Sequence, residues 1–320
     1  MNGLSRCMNG LRATLITLVF LGLTLNALHA RAGVFGDGDP ANGDEDDRRT
    51  LSQGASLPGL SEWYRSGGSI FCDGAVRGSA TIVDLSAFAP PRPGVVIATA
   101  AHVLVDLDTG LAWNHCEYRH QGLGELPGYQ ATLELHWTLA GPFDARLPPG
   151  DAENAVNDWA FVWLGASWRQ PGGARALGLA DVRQTADGRG LLGLLAWNPD
   201  LGQLALASGC RAVLSRHEDL SGDGQGGQLL DDCDSGTGSS GGGLILTRDG
   251  SARLVGIRGG QHWDGGIWPP ERYPDGPPAG SRWDPNRFTN YARALDADIL
   301  QQVQRWWRTL GAAGSAEVAP

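Results

Sequence analysis

The chain has 320 residues and a formal net charge of −10, a length that allows two small domains or one larger one. The acidic balance argues against nucleic acid as a partner, because binding to phosphates needs a basic patch. Beyond the N-terminal stretch, no segment is long and apolar enough to span a bilayer.

The N-terminus predicts a secretory signal peptide. Arg6 and Arg12 precede an apolar stretch at 13–28, and Ala30-Arg31-Ala32 is a small-residue cleavage site that places the cut before Gly33. The alternative is a membrane anchor, but polar residues interrupt the stretch, which is also short for a spanning helix. We therefore expect an exported protein, secreted or periplasmic, that has no membrane contact after cleavage.

An acidic cluster follows the cleavage site within one short glycine-containing segment. Its members are Asp37, Asp39, Asp44, Glu45, Asp46 and Asp47. Clustered carboxylates suit a calcium ion, but we favour a solvated tail. A second calcium candidate, residues 219–224, resembles the start of an EF-hand loop but has Leu230 where that loop needs a bidentate Glu. We interpret it as a turn.

Short β-type runs alternate with Gly/Pro turns over the rest of the chain, which predicts an all-β fold. The clearest runs are 69–72, 79–84, 95–101, 130–137, 158–163, 191–197, 242–247 and 253–258. We expect two barrels split near 167–173, with long loops at 87–94, 139–157 and 264–289. Apolar residues at spacings of three and four predict a helix at 291–310, packed on the second barrel.

Three segments supply the residue types that acyl transfer needs. They are Thr99-Ala100-Ala101-His102, Asn157–Val162 with its Asp158, and Gly238-Ser239-Ser240-Gly241-Gly242. A serine becomes a nucleophile when a base takes its proton, and a buried carboxylate holds an imidazole base in one tautomer. Glycines let backbone N–H groups point at a developing oxyanion. Alone, each segment also fits a core histidine, a turn aspartate or a flexible loop; their combination and order favour a catalytic triad.

These segments resemble those of trypsin-like serine peptidases of the chymotrypsin fold, and most of all the bacterial secreted branch that includes the glutamyl endopeptidases. The resemblance implies that His102 is the general base and acid, that Asp158 orients it, and that Ser240 is the nucleophile. It also implies an oxyanion hole formed by the backbone N–H groups of Gly238 and Ser240. The resemblance runs from about residue 33 to about residue 310.

The fold implied is a pair of six-stranded antiparallel β-barrels with a C-terminal α-helix. The chain then divides into a signal peptide (1–32), an acidic N-terminal segment (33–66), an N-terminal barrel (67–168), a C-terminal barrel (169–290) and the helix (291–310). Ser239 departs from the animal digestive members, which carry an aspartate that receives a new N-terminus on activation. Because an uncharged serine cannot form that ion pair, we expect activity to be independent of freeing such an N-terminus.

The cysteines after the signal region are even in number, which in an exported chain indicates disulfides. Of the three possible pairings we favour Cys72–Cys116 and Cys210–Cys233. Each pair then lies within one barrel. A zinc site at Cys116 with His115 and His120 is the alternative. We favour the disulfide, and we expect no metal and no cofactor.

The substrate pocket has two candidate charges. Asp234 precedes the nucleophile by six residues, the offset at which trypsin-type enzymes carry an aspartate that pairs with Lys or Arg. Arg258 lies where the glutamyl branch carries a histidine that contacts an acidic side chain, so it could neutralise Asp234 or recruit a carboxylate. Asp234 could also only support a turn. We lean to a basic preference, with Gly259 and Gly260 leaving backbone open for a peptide to pair with.

The sequence thus predicts a secreted or periplasmic serine endopeptidase, a monomer that cuts protein or peptide substrates through an acyl-enzyme. The alternative is a non-catalytic or tightly regulated binding protein on the same fold, with the loop at 264–289 closing the cleft. The presence of all three catalytic residue types favours the enzyme. An α/β-hydrolase is disfavoured, because the serine segment is not a Gly-x-Ser-x-Gly elbow.

Overall fold

The computed structural model describes residues 33–36, 46–51, 61–89, 93–120, 128–148, 150–168, 174–184, 190–216, 227–274, 276–278 and 280–314. The predicted signal peptide, the first four members of the acidic cluster and the candidate calcium turn lie outside the described residues. Within the residues described, no helix combines the length and the apolar character needed to cross a membrane.

The described chain is mainly β, with short helices between strands. The strands are β1 (Phe35–Gly36), β2 (Arg49–Thr50), β3 (Gly67–Cys72), β4 (Ala75–Asp84), β5 (Val96–Thr99), β6 (Val105–Asp106), β7 (Leu111–Ala112), β8 (Cys116–His120), β9 (Tyr129–Thr132), β10 (Thr138–Ala140), β11 (Ala160–Trp163), β12 (Leu177–Leu179), β13 (Leu191–Asn198), β14 (Gln203–Ser208), β15 (Ala212–Arg216), β16 (Gly227–Asp231), β17 (Gly243–Arg248), β18 (Ser251–Trp263), β19 (Ser281–Arg282) and β20 (Phe288–Ala294). The α-helices are α1 (Ser61–Tyr64), α2 (Ala152–Asn157) and α3 (Ala297–Gly314). Short 3₁₀ helices span Ala101–Leu104, Leu135–Trp137 and Val182–Gln184.

The first half is an antiparallel ladder in the order β10–β11–β5–β4–β3–β8–β9. Strand β4 is buried on both faces over residues 78–83. Its small residues, Gly78 and Ser79, let the Ser240 turn approach its backbone, whereas Ile82 lies in the core. The run predicted at 130–137 is only partly strand, since it turns into a 3₁₀ helix after β9.

The second half is an antiparallel ladder in the order β2–β14–β13–β17–β18–β20–β16–β15. The two halves are joined by β12, which runs parallel both to β4, at Leu177↔Val83, and to β18, at Gly178↔Arg253. The all-β class with a C-terminal helix is confirmed.

Helix α3 begins later than predicted and packs against a different half of the fold from the one expected. It starts at Ala297 because the residues from Tyr291 to Ala294 complete β20. Its apolar face belongs to the larger core, and Trp307 lines a cavity of about 490 Å³ with residues of β4 and β5 such as Ile82 and Val96. The helix therefore lies against the first half, and the expectation that it packs on the second barrel is wrong.

The N-terminal segment, residues 33–36 and 46–51, is part of the fold. Strand β1 pairs in parallel with β19, and β2 extends the second half by pairing with β14. Val34 and Phe35 are buried. The interpretation of the acidic cluster as a solvated tail is therefore wrong for Asp46 and Asp47, which are the members that the structure describes.

The disulfides lie within the halves. Cys72 bonds to Cys116 across the register that pairs β3 with β8. Cys210 bonds to Cys233, which joins the start of β15 to the loop that leads to the nucleophile. These are the pairs favoured from the sequence. A disulfide between residues this far apart in the chain contributes roughly 2–4 kcal/mol.

Candidate active site

Strand register brings His102 and Asp158 together. Strand β5 ends at Thr99, opposite Ala160 of β11. His102 lies in the 3₁₀ turn that follows β5, and Asp158 lies between α2 and β11. Because the two strands are antiparallel, the residue after one and the residue before the other meet at the same edge.

Both oxygens of the Asp158 carboxylate bind His102. Oδ2 lies 2.7 Å from His102 Nδ1, and Oδ1 accepts the backbone N–H of His102 at 3.0 Å. The Asp158 side chain is fully buried, whereas the His102 ring is 11% exposed. A carboxylate so placed keeps the proton on Nδ1, which leaves Nε2 as the basic nitrogen.

Ser240, the predicted nucleophile, lies within residues 234–242 between β16 and β17. We name this segment the catalytic loop after that prediction. The loop closes on itself, since the N–H of Ser239 donates to Gly236 O at 3.0 Å and that of Gly242 donates to Ser239 O at 2.8 Å. Gly238 has a φ of +92°, which favours glycine because a Cβ would be strained there. The hydroxyl of Ser240 donates to Gly259 O at 3.3 Å.

Strand β4 holds this loop next to His102. The Ser79 N–H donates to Ser240 O at 2.7 Å, and its hydroxyl donates to Gly238 O at 2.8 Å. A Cβ on Gly78 would lie 2.6 Å from both Ser240 O and Val103 Cγ2. Ser240 and the residue after His102 therefore meet at one point on β4. The triad residues predicted from three distant segments share one neighbourhood.

Replacing Gly78 by alanine tests this convergence. The new Cβ would meet the backbone of the nucleophile, so Gly78→Ala is expected to slow labelling of Ser240 by a fluorophosphonate about tenfold or more. Overpacking should cost about 1–3 kcal/mol. Gly150→Ala is the matched control, because a Cβ there meets nothing closer than 3.9 Å. Labelling of Gly78→Ala at the wild-type rate would contradict the arrangement.

An open cleft borders His102. It has a volume of about 390 Å³, and its lining includes Arg77, Asp106 and Trp113. The Arg77 guanidinium lies over the Trp113 ring, 3.9 Å from its centroid.

Asp234 faces the N-terminal segment. Its Oδ1 accepts the N–H of Phe35 at 2.8 Å, and its Oδ2 accepts the N–H of Asp47 at 2.6 Å. Burial raises the pKa of Asp234 to about 8, although these two N–H groups oppose the shift. A buried carboxyl whose two oxygens each accept a backbone N–H is a poor partner for a basic substrate side chain. Of the roles considered, support of the backbone fits best.

Arg258 pairs with Asp231 and not with Asp234. Its Nη2 lies 2.6 Å from Asp231 Oδ1 and its Nη1 lies 3.1 Å from Oδ2. Nη1 also donates to Tyr291 O at 3.3 Å. The Arg258 and Asp231 side chains are 1% and 0% exposed. The positive charge of Arg258 is therefore compensated within the protein, by a residue that the sequence analysis did not single out.

Gly259 and Gly260 lie under an aromatic ring. A Cβ on Gly259 would lie 2.2 Å from Tyr291 Cε2, and one on Gly260 would lie 3.1 Å from the Tyr291 hydroxyl. The His262 ring stacks on the Tyr291 ring, with centroids 4.4 Å apart. These glycines are thus required for the close approach of Tyr291 to β18.

Sequence reasoning missed a polar group behind the catalytic loop. Arg48, Asn198 and Asp200 lie there in hydrogen-bond contact with one another or with the loop. No spacing in the sequence marks them as a group, because Arg48 lies about 150 residues before the segment that carries Asn198 and Asp200. The zinc alternative is excluded at Cys116, whose sulfur is in a disulfide.

Comparisons with known proteins bear on the fold. No family model matches the chain, and no curated protein matches its sequence. Among solved structures the chain is similar to a Glu endopeptidase in complex with MPD, with a TM-score of 0.51 and 12% sequence identity. The alignment covers 85% of this chain and 98% of that chain. The chain therefore has the all-β, chymotrypsin-like fold that its sequence predicts.

Proposed function

We propose that the protein is a serine endopeptidase in which Ser240, His102 and Asp158 hydrolyse peptide bonds. The observation that carries the proposal is the buried Asp158 carboxylate, which binds both the ring and the backbone N–H of His102. A fully buried carboxylate is costly unless its partners compensate the charge. Here the buried carboxylate orients one imidazole beside the loop that carries Ser240, an arrangement suited to general-base catalysis.

Each residue then has one role in the reaction. His102 Nε2 takes the proton of Ser240 as Oγ attacks the carbonyl carbon, and Asp158 stabilises the imidazolium. The N–H groups of Gly238 and Ser240 donate to the tetrahedral oxyanion. Collapse breaks the C–N bond, with the amine taking the proton from His102. Water, activated by the same nitrogen, then hydrolyses the acyl-enzyme.

For the substrate residue before the cut, we propose an uncharged side chain. Asp234 binds the N-terminal segment, and the charge of Arg258 is compensated by Asp231. Neither charge is therefore available to select Lys, Arg or Glu, and the glutamyl preference of the similar protein is not carried over. Gly259 and Gly260 retain the role of backbone partners for an added peptide strand.

The remaining expectations belong to the same proposal. The two disulfides support an oxidising compartment, and so a secreted or periplasmic protein. We keep the domain limits expected from the sequence, apart from the start of the helix. A monomer acting on protein or peptide substrates, without a cofactor, completes the proposal.

A fluorophosphonate probe tests the proposal. We expect the disulfide-bonded protein to be labelled and Ser240→Ala to remain unlabelled, because the probe reacts only with an activated serine. Ser86→Ala is a matched control, since that hydroxyl is exposed and binds Asp84. The absence of labelling in wild-type protein would favour a binding protein on the same fold. Labelling that persists in Ser240→Ala would place the nucleophile elsewhere.

A further inference from the structure

The catalytic loop has a buried cation behind it. Arg48, carried by the N-terminal segment just before β2, has a side chain that is 2% exposed. Its guanidinium binds Asp46 through Nε at 2.9 Å and Nη2 at 2.7 Å. It binds Asp200 through Nη1 at 3.0 Å and Nη2 at 2.7 Å. Both carboxylates fix the fork in one orientation.

One hydrogen bond of Arg48 connects it, through Asn198, to the loop that carries Ser240. Nη1 donates to Asn198 Oδ1 at 3.0 Å. The same oxygen accepts the N–H of Gly236 at 3.1 Å and the hydroxyl of Ser239 at 3.2 Å. Asn198 Nδ2 donates to Ala196 O at 3.0 Å, which sets the orientation of the amide. Asn198 therefore joins the guanidinium to both ends of the turn that contains Gly238.

The contact between Arg48 and the loop is also steric. A Cβ on Gly236 would lie 2.7 Å from Arg48 Nη1, so the guanidinium lies directly against the loop backbone. The Ser239 hydroxyl in turn accepts the N–H of Gly236 at 3.0 Å. Shifting Arg48 would open space behind the peptide that precedes Ser240 and release these hydrogen bonds.

We propose that Arg48 is a positioning residue for the oxyanion hole, which acts through Asn198 and Ser239 to hold the Gly238 and Ser240 N–H groups in place. The inference rests on the proposed function of Ser240. The Ser239 hydroxyl donates to Asn198 Oδ1, an acceptor that the guanidinium also contacts and polarises. The cation needed to order the loop is thus part of the N-terminal segment itself.

The charge of Arg48 is permanent. Although burial opposes it, Asp46 and Asp200 raise the pKa of Arg48 above its usual range. An α-amino group titrates near neutral pH, whereas a guanidinium does not. The order of the catalytic loop is therefore expected to be independent of pH near neutrality.

Kinetics of Arg48→Gln test the proposal. With a p-nitrophenyl ester, which contacts little besides the catalytic residues, we expect kcat to fall about tenfold or more with KM nearly unchanged. The shape of the pH profile should not change, because the guanidinium stays charged throughout. Arg48→Lys should restore little of the lost kcat, because lysine lacks the planar guanidinium that binds two carboxylates at once. Arg183→Gln is the matched control, since Arg183 binds Asp181 at the same two-residue spacing but is exposed.

Ser239→Ala removes the hydrogen bond between Ser239 and Asn198 and leaves the ion pairs of Arg48 intact. It should lower kcat similarly, and the double variant with Arg48→Gln should lose little more than either single variant, since both break one network. Additive losses would overturn the proposal. So would wild-type kinetics of folded Arg48→Gln with both disulfides formed.

Hydrogen exchange keeps the inference separate from the proposed function. Arg48→Gln should speed amide exchange in the peptide that covers residues 236–242, relative to Arg183→Gln. Unchanged exchange there would overturn the positioning role whether or not Ser240 reacts. If wild-type protein failed to label, the proposed function would be lost, and faster exchange in the variant would still support Arg48 as the residue that orders the loop.

Discussion

Asp158→Asn is expected to lower kcat by about four orders of magnitude while the protein stays folded. An asparagine oxygen can still accept the backbone N–H of His102, but its amide nitrogen then faces Nδ1. That contact forces the imidazole proton onto Nε2, where no base remains to take the proton of Ser240. The second-order rate of fluorophosphonate labelling, measured on disulfide-bonded protein, checks the result.

Asp151→Asn is the control for this variant. Asp151 caps α2 by accepting the N–H of Glu153, and asparagine is an equally good cap. Its labelling rate should therefore match wild type. Comparable labelling of Asp158→Asn and wild type would mean that the pair with His102 does not serve catalysis.

Asp231→Leu is expected to lower the free energy of unfolding by about 3–5 kcal/mol. The change leaves the Arg258 guanidinium buried without its carboxylate, and desolvation of that charge is then uncompensated. Adding Arg258→Met should recover most of the loss, because apolar residues of similar volume can replace a buried pair. Urea unfolding of both variants with disulfides intact measures the difference.

A surface pair provides the comparison. Asp144→Asn removes the partner of Arg146, whose side chain is 88% exposed, and should cost less than about 1 kcal/mol. If Asp231→Leu cost as little as this variant, or if Arg258→Met gave no recovery, the pair would not be buried as the structure places it.

The residues proposed to perform chemistry could be predicted from the sequence because short segments mark them. The His102 and Ser240 segments each combine a reactive residue with small neighbours that let strands and backbone approach. The strand runs were also visible, since β5, β13 and β17 contain apolar runs. Such features are local, and local patterns are what a single sequence contains.

Strand β20 shows why the rest was missed. All of its residues are buried, yet several are polar, so it has neither an apolar run nor alternation. The buried Asn290 amide donates hydrogen bonds to Gly33 O and Cys233 O. The Arg293 guanidinium donates to Val156 O and Gly227 O. These acceptors come from distant parts of the chain. The predicted helix was extended back over this strand for the same reason.

The polar residues that support the catalytic loop could not be predicted from the sequence for a similar reason. Arg48 follows a run of carboxylates that is typical of a solvated tail, and only the fold shows that it faces Asn198. The charges of Asp234 and Arg258 were noticed, but their partners, the N-terminal segment and Asp231, depend on three-dimensional neighbours that no spacing encodes.

The pairing of β1 with β19 can form only late in the synthesis of the chain. Phe35 emerges among the first residues of the fold, yet it pairs with Ser281 and its N–H donates to Asp234. Contacts between such distant residues form late, after loop closure has been overcome. A chain that is still being translated therefore lacks the pairing of its N-terminal strand until Ser281 has been synthesised. The first residues of the described fold are therefore among the last to reach their native partners.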